Sequence, residues 1–367
     1  MRTAPEPGAK LLDILQSGDA AAGLADRGDT RFDGPCSSER QPMTLRLRSG
    51  PFVSRLAFRS IVVPVDQSRL AEQAIPTALA IAERARGKVK LVLVHRELPP
   101  LLPLEPRQDH VKVRLAMLRS ERDYLKSLTH RLRDRMGRAL SSAMLHGPVA
   151  RTLAEYVRDI RADLVVMTSH GHGGLRRAWL GSVADELIRT LEVPVLLVRP
   201  GDKETKAPSV DFRRLLVPLD GSHLAEGILE PVVTLARLWD AEISLVQIVP
   251  PLALSTDAAL AHLMIPIGYS DEVTAVRLEG ARTYLRTIAH RVRHQKLSAS
   301  STAVLGGSVA ETLIELARTG RFGGMAIATH ARGGVRRLVL GSVADKLIRA
   351  GEVPILVHRP RSRRKRA

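Results

Sequence analysis

The sequence predicts an α/β chain made of two tandem doubly wound domains, each built on a five-stranded parallel sheet. Three observations carry this reading. The second half repeats the first at a period of about 160 residues. Within each half, short β-branched runs alternate with longer amphipathic ones. Strand-like runs such as LVLV and LVVM are apolar on both faces, which suits a parallel sheet covered by helices on both sides.

The repeat is densest near the end of each half. HGHGGLRRAWLGSVADELIRTLEVPVLLVRP, from His170 to Pro200, matches HARGGVRRLVLGSVADKLIRAGEVPILVHRP, from His330 to Pro360, at about two thirds of positions. Upstream, the run that opens at Ser60 pairs with the one at Leu215, and GPVARTLAEYV from Gly147 pairs with GSVAETLIEL from Gly307. Duplication therefore sets the boundaries: 1–56 a disordered leader, 57–200 the first domain, 201–211 a charged linker, 212–360 the second domain and 361–367 a basic tail. The leader is rich in Gly, Pro, Ser, Asp and Arg without periodicity, so it cannot repay its ordering entropy.

Strands are expected near Ser60 to Val65, Val89 to His95, Ala139 to Met144, Leu164 to Thr168 and Val195 to Val198. Their counterparts run near Leu215 to Leu219, Glu242 to Val249, Ala299 to Val304, Met325 to Thr329 and Ile355 to His358, with helices between. Aromatic residues make up only 3% of the chain, so Leu, Val, Ile and Ala must build the cores. An exposed fifth strand such as VPVLLV is an association hazard. The two copies are therefore expected to dock through these strands as an internal pseudo-dimer, with homodimerisation of the whole chain left open.

Composition narrows the function classes. A net charge of +18 comes mostly from arginine spread over every expected helix, and it reads as solvated helix faces; nucleic acid is not expected as a partner. The single cysteine, Cys36, cannot form an intramolecular disulfide, and no apolar run has the length of a membrane helix. A cytoplasmic protein without a membrane partner is expected.

In an open parallel sheet the ligand crevice lies beyond the carboxyl ends of the strands where the winding reverses. Two features converge there: Asp66 after the first strand, and the loop from Thr168 to Gly174 after the fourth, which carries Gly171, Gly173 and Gly174. The second half places Asp220 and the loop from Thr329 to Gly334, with Gly333, likewise. Glycine amides and a following helix start suit phosphate. The pairs Gly181-Ser182 and Gly341-Ser342 recur at the same distance from these loops.

Most of the spacing G-x2-G-x9-G-S/T, the opening VVPVDxS and the ending VPVLLV resemble the universal stress protein family over roughly 300 residues. The resemblance implies the adenine nucleotide alpha hydrolase-like fold and a stress-response regulator. One branch of that family binds ATP through the glycine pattern and another does not. By this resemblance Pro64, Val65 and Asp66, with Pro218, Leu219 and Asp220 in the second half, line the adenosine side. His95 and Arg96, and Ile248 in the second half, meet the adenine edge through backbone atoms. Gly171, Gly181, Ser182 and Val183 cradle the phosphates, with Gly341, Ser342 and Val343 as counterparts. The implied cofactor is ATP, possibly with Mg, held more readily by the first domain, because Thr168 replaces one glycine there whereas Ala328 and Ala331 replace two in the second.

Competing readings remain open. Ser182 to Asp185 and Ser342 to Asp345 fit a capping-box-like pattern that would use the same amides as phosphate. Asp66 and Asp220 suit a helix cap as well as a ribose or metal contact. No nucleophile-base pair, zinc-ligand spacing or Walker loop is present, so catalysis is at most slow ATP hydrolysis and no catalytic or metal residue is assigned. A nucleotide-free interaction module of the same fold is the alternative.

Overall fold

A computed structural model describes residues 56–96, 107–169, 180–199, 211–251, 267–329 and 340–360, with side chains from 111 and 272 onward in the helices that open at 107 and 267. The expected disordered leader, Gly171, Gly173, Gly174, Gly333 and the basic tail lie outside these residues. The first repeat runs β1 (Ser60–Val65), α1 (Arg69–Glu72), α2 (Ile75–Ala85), β2 (Lys88–His95), α3 (Arg107–Met136), β3 (Leu140–His146), α4 (Val149–Asp159), β4 (Leu164–Thr168), α5 (Ser182–Thr190) and β5 (Val195–Val198). The second runs β6 (Arg214–Pro218), α6 (Leu229–Trp239), β7 (Glu242–Val249), α7 (Ile267–Arg293), β8 (Ala299–Leu305), α8 (Val309–Thr319), β9 (Gly324–Ala328), α9 (Ser342–Ala350) and β10 (Ile355–His358). Both halves are thus doubly wound α/β units. The expected strands are all present, with some ends moved by one or two residues because turns rather than apolarity stop them.

The strand order is β3-β2-β1-β4-β5-β10-β9-β6-β7-β8. Pairing is parallel inside each half, and β1 lies between β2 and β4 as β6 lies between β7 and β9. At the centre β5 and β10 pair antiparallel, Leu196 opposite Leu356, so the halves share one ten-stranded sheet. The order reads the same from either edge, which defines a pseudo-twofold axis between the fifth strands.

Alternation along the strands separates two apolar layers. Ile61, Val63, Leu91 and Leu93 face α2 and α3, while Val62, Val92 and Val165 face α4 and α5. Each layer continues across the central pairing into the second half. Fully burying each such aliphatic side chain contributes about 1.5–3 kcal/mol. Close backbone approach also shapes the frame: a Cβ on Gly323 would lie 1.6 Å from the Asp211 carbonyl oxygen, so only glycine leads into β9.

Polar contacts join the halves as well. Arg199, one residue past β5, donates from Nη2 to the Ile348 and Leu347 carbonyls in the last turn of α9. Its counterpart Arg359, one residue past β10, donates to the Arg189 carbonyl in the last turn of α5. Each repeat thereby caps the carboxyl end of the other's final helix, where a cation also meets the negative end of the helix dipole. Burial lowers the Arg199 pKa to about 10, which leaves it charged at neutral pH. On the α2 side, Arg84 stacks 4.7 Å over the Trp239 ring, whose edge meets Phe212 at 5.1 Å.

Candidate functional site

The carboxyl ends of β6 and β9 open onto a cavity of about 840 Å³ in the second repeat. Among its lining residues are the expected Pro218, Leu219, Asp220, Ile248, Thr329, Gly341, Ser342 and Val343. The topology explains the convergence: β6 and β9 are neighbours from which the chain leaves in opposite winding directions, so the segments after them face each other. Leu313, Ile327, Leu340 and Leu347 give the floor an apolar character, and among the described residues Asp220 is its only carboxylate.

At one wall stands the amino end of α9. Gly341, with φ −58° and ψ 146°, is the residue before the helix, and among the described residues no side chain caps it. Ser342 is already the first helical residue. The capping-box reading is therefore corrected in both repeats: Gly181 holds the same place before α5, again without a side-chain cap, and Ser182 begins the helix. The physical reason is a shift of one residue in the helix start, which moves the serine hydroxyl out of the geometry that caps the second and third amides. The acid of the pattern is engaged elsewhere: Asp345 pairs with Arg349 at 2.9 Å and Asp185 with Arg189 at 2.8 Å, each one turn along. This neutralises the carboxylate that would otherwise repel an anion at the helix start.

Opposite this wall, Asp220 accepts from the Ser222 amide at 2.9 Å, and Ser222 Oγ accepts from Ala225 at 3.1 Å. In the first repeat Asp66 accepts from the Ser68 amide at 3.1 Å, and Ser68 Oγ accepts from Ala71 at 3.0 Å. In the first repeat Ser68 thus caps the first helix, and Ser222 makes the matching turn in the second. The aspartates orient those serines and remain exposed at the crevice. Behind them, the Glu226–Arg291 ion pair of 2.9 Å recurs as Glu72–Arg131 at 3.2 Å. Buried Tyr284 sits against the first set, and desolvation, then Glu226 and Asp220, hold its hydroxyl well above the ordinary phenol range.

The third wall is the end of β7. Ile248, Val249 and Pro250 line it, and Arg277 of α7 donates to the Pro250 carbonyl at 3.1 Å across the rim. Gln247 also lines the cavity, and its Oε1 is buried without a hydrogen-bond partner among the described residues. Arg277 and Gln247 escape notice in the sequence because neither lies in a repeated motif.

In the first repeat Pro64, Val65 and Asp66 end β1, and Thr168 ends β4 with 5% exposure. Ser169, fully buried, accepts from the Gly181 amide at 3.0 Å, which draws the start of α5 towards the end of β4. His95 is 2% exposed, and its Nδ1 lies 2.7 Å from Glu121 of α3, with His146 edge-on at 5.6 Å. The second repeat has Val249 at the end of the matching strand, so this polar pair is a feature of one copy. Arg96 is exposed just beyond. Among the described residues no three His, Cys, Asp or Glu side chains gather where they could hold a metal ion, and no helix is long and apolar enough to cross a membrane.

The model of the universal stress protein family matches residues 57–199 and again 211–359. The chain belongs to the universal stress protein family. Its tandem form is shared by a universal stress protein of Mycobacterium tuberculosis, 26% identical over 325 residues, which are 82% of this chain and 94% of that one. A universal stress protein of Methanocaldococcus jannaschii is 29% identical over 147 residues, covering 40% of this chain and 85% of its own length. Among solved structures, a universal stress protein from Archaeoglobus fulgidus superposes with a TM-score of 0.59 at 15% identity, over 82% of this chain and 98% of that one. That likeness concerns the fold.

Proposed function

We propose that this universal stress protein is a cytoplasmic stress-response regulator whose second repeat binds ATP as a conformational ligand. The observation that carries the reading is the 840 Å³ cavity at the winding reversal, closed on one side by the uncapped amino end of α9. Ligand sites of about 300–1,000 Å³ with apolar floors and a few polar groups are the usual form of small-molecule pockets. First-turn amides and the positive dipole end suit phosphate, and the apolar floor suits a base. Asp220 is placed for a ribose or a phosphate-bound cation. With one carboxylate at hand, a Mg ion would take most of its ligands from phosphate and water. The first repeat keeps the same helix start and the same Asp66, and is the second candidate for occupancy.

Protein freshly purified and heat-denatured should release adenine nucleotide, and stripped protein should melt higher when Mg-ATP is added. No nucleotide in the supernatant together with no thermal shift would sink the reading. The rival, a nucleotide-free interaction module, is favoured by Ala328, whose methyl lines the cavity where a glycine was expected. Under that rival, Ala328→Gly would create affinity where the wild type has none.

A further inference from the structure

We infer that the outward face of α3 is a docking surface for the phosphate backbone of duplex nucleic acid. Helix α3 turns Glu121, Leu125 and Leu128 towards the sheet. On the opposite side Arg119, Arg122, Lys126 and Arg133 are all exposed. Steps of three, four and seven residues place these cations on one face. From first to last they span about 21 Å at 1.5 Å per residue. Among the described residues none of the four has an ion pair or side-chain hydrogen bond. Asp123, four residues after Arg119 and three before Lys126, interleaves with the row, and Asp134 adjoins Arg133; among the described residues neither makes an ion pair with any of the four.

Like charges three or four residues apart on a helix destabilise it by a few tenths of a kcal/mol per pair, and a single interleaved aspartate offsets only part of that cost. The second repeat shows how the same frame removes that cost. In α7 the position of Arg119 is occupied by Glu279, as the matching Tyr124, partly buried, and Tyr284, buried, five residues on establish. Glu279 pairs with Arg282 at 3.4 Å and with Arg286. One copy therefore pairs its ridge cations with Glu279, whereas the other has Arg119 at that position and Asp123, in place of Thr283, in no ion pair among the described residues. Composition could not separate these cases, because arginine is spread over every helix; position does.

The form of the ridge selects the polyanion. A helix that lies on a bilayer buries an apolar face in lipid, but the apolar face of α3 is spent on the sheet. The exposed aliphatics Val111, Val113, Leu115 and Met117 precede the ridge and point to several sides. A duplex offers what a straight row of cations matches, a negative charge about every 1.7 Å of axis. The contact would be to phosphates and so independent of base sequence.

The full chain should bind a fluorescein-labelled 20-base-pair duplex of arbitrary sequence in an anisotropy titration. Affinity should fall with salt at a log-log slope of about −3 to −4, as four phosphate contacts require. Arg119→Glu, which installs the acid of the second repeat, should lower affinity at least tenfold and flatten the slope by about two or more, without lowering the melting temperature. Lys126→Gln, a milder change, should flatten it by about one. A chain shortened by residues 361–367 should show the same dependence on Arg119. The inference is overturned if the wild type does not bind the duplex, if both variants bind it as the wild type does, if only loss of the tail abolishes binding, or if phosphatidylserine vesicles capture the protein and the duplex does not.

Discussion

Arg199 and Ile348 belong to different repeats, yet the guanidinium of the first is hydrogen-bonded to the carbonyl of the second. Arg359 and Arg189 repeat the relationship in the opposite direction. Hydrogen bonds from charged donors stabilise by about 1.5–3 kcal/mol, and losing the donor leaves part-buried carbonyls unsatisfied. Arg199→Met should therefore lower stability by about 1–3 kcal/mol. The paired change Arg199→Met with Arg359→Met should split one calorimetric transition into two, since the halves then depend on the central strands, the apolar layers beside them and the Arg84–Trp239 contact. A single unshifted transition would show that the strand pairing suffices.

His95 and Glu121 form a buried polar pair where the second repeat has Val249 and Ala281. Removing one member strands the other, so Glu121→Ala should cost about 1–3 kcal/mol in urea unfolding. Adding His95→Val should restore stability to within about 1 kcal/mol of the wild type, because apolar replacements of a buried polar pair are often neutral. Failure of the double variant to recover would mean that packing, not pairing, sets the cost.

His358 ends β10 where Val198 ends β5, and its Nδ1 is buried without a hydrogen-bond partner among the described residues. Desolvation lowers its pKa from 6.5 to about 4. Between those values the unfolded chain binds a proton that the folded chain refuses, so this group's contribution falls as pH drops below 6.5 and levels off below about 4. The wild type should lose about 1–2 kcal/mol more stability than His358→Val between pH 7 and pH 5. Equal losses would remove His358 from the acid response.

Gly341→Asp would place a capping carboxylate on the amides that the proposed phosphate needs. Asp is a better cap than Gly by only a few tenths of a kcal/mol, so thermal stability should rise slightly. Affinity for Mg-ATP should nevertheless fall at least tenfold, through competition and repulsion. Opposite signs in the two measurements separate this account from simple damage. Unchanged affinity would move the phosphate away from α9.

The frame was legible in the sequence because strands such as Val62 to Val65 and Leu164 to Thr168 are apolar on both faces and recur at a fixed period. The placement of Asp220, Gly341 and Thr329 around one crevice followed from topology once β6 and β9 were neighbours. Other features depend on partners far along the chain. No local pattern joins His95 to Glu121 or Arg199 to Ile348, and SVAD reads alike whether its serine precedes the helix or begins it. The charge row on α3 was hidden by the abundance of arginine, since only comparison with Glu279 on α7 shows which cations, among the described residues, are in no ion pair.

The central antiparallel pairing of β5 with β10 has a consequence for how the protein responds to its own abundance. Two separate copies would meet only above some threshold of expression and part again on dilution. Tethered in one polypeptide, they find each other at an effective concentration fixed by the linker. Their association is then the same in a starved cell as in a crowded one. It also relieves each copy of having to match itself, so one can keep a polar core pair while the other keeps an apolar one.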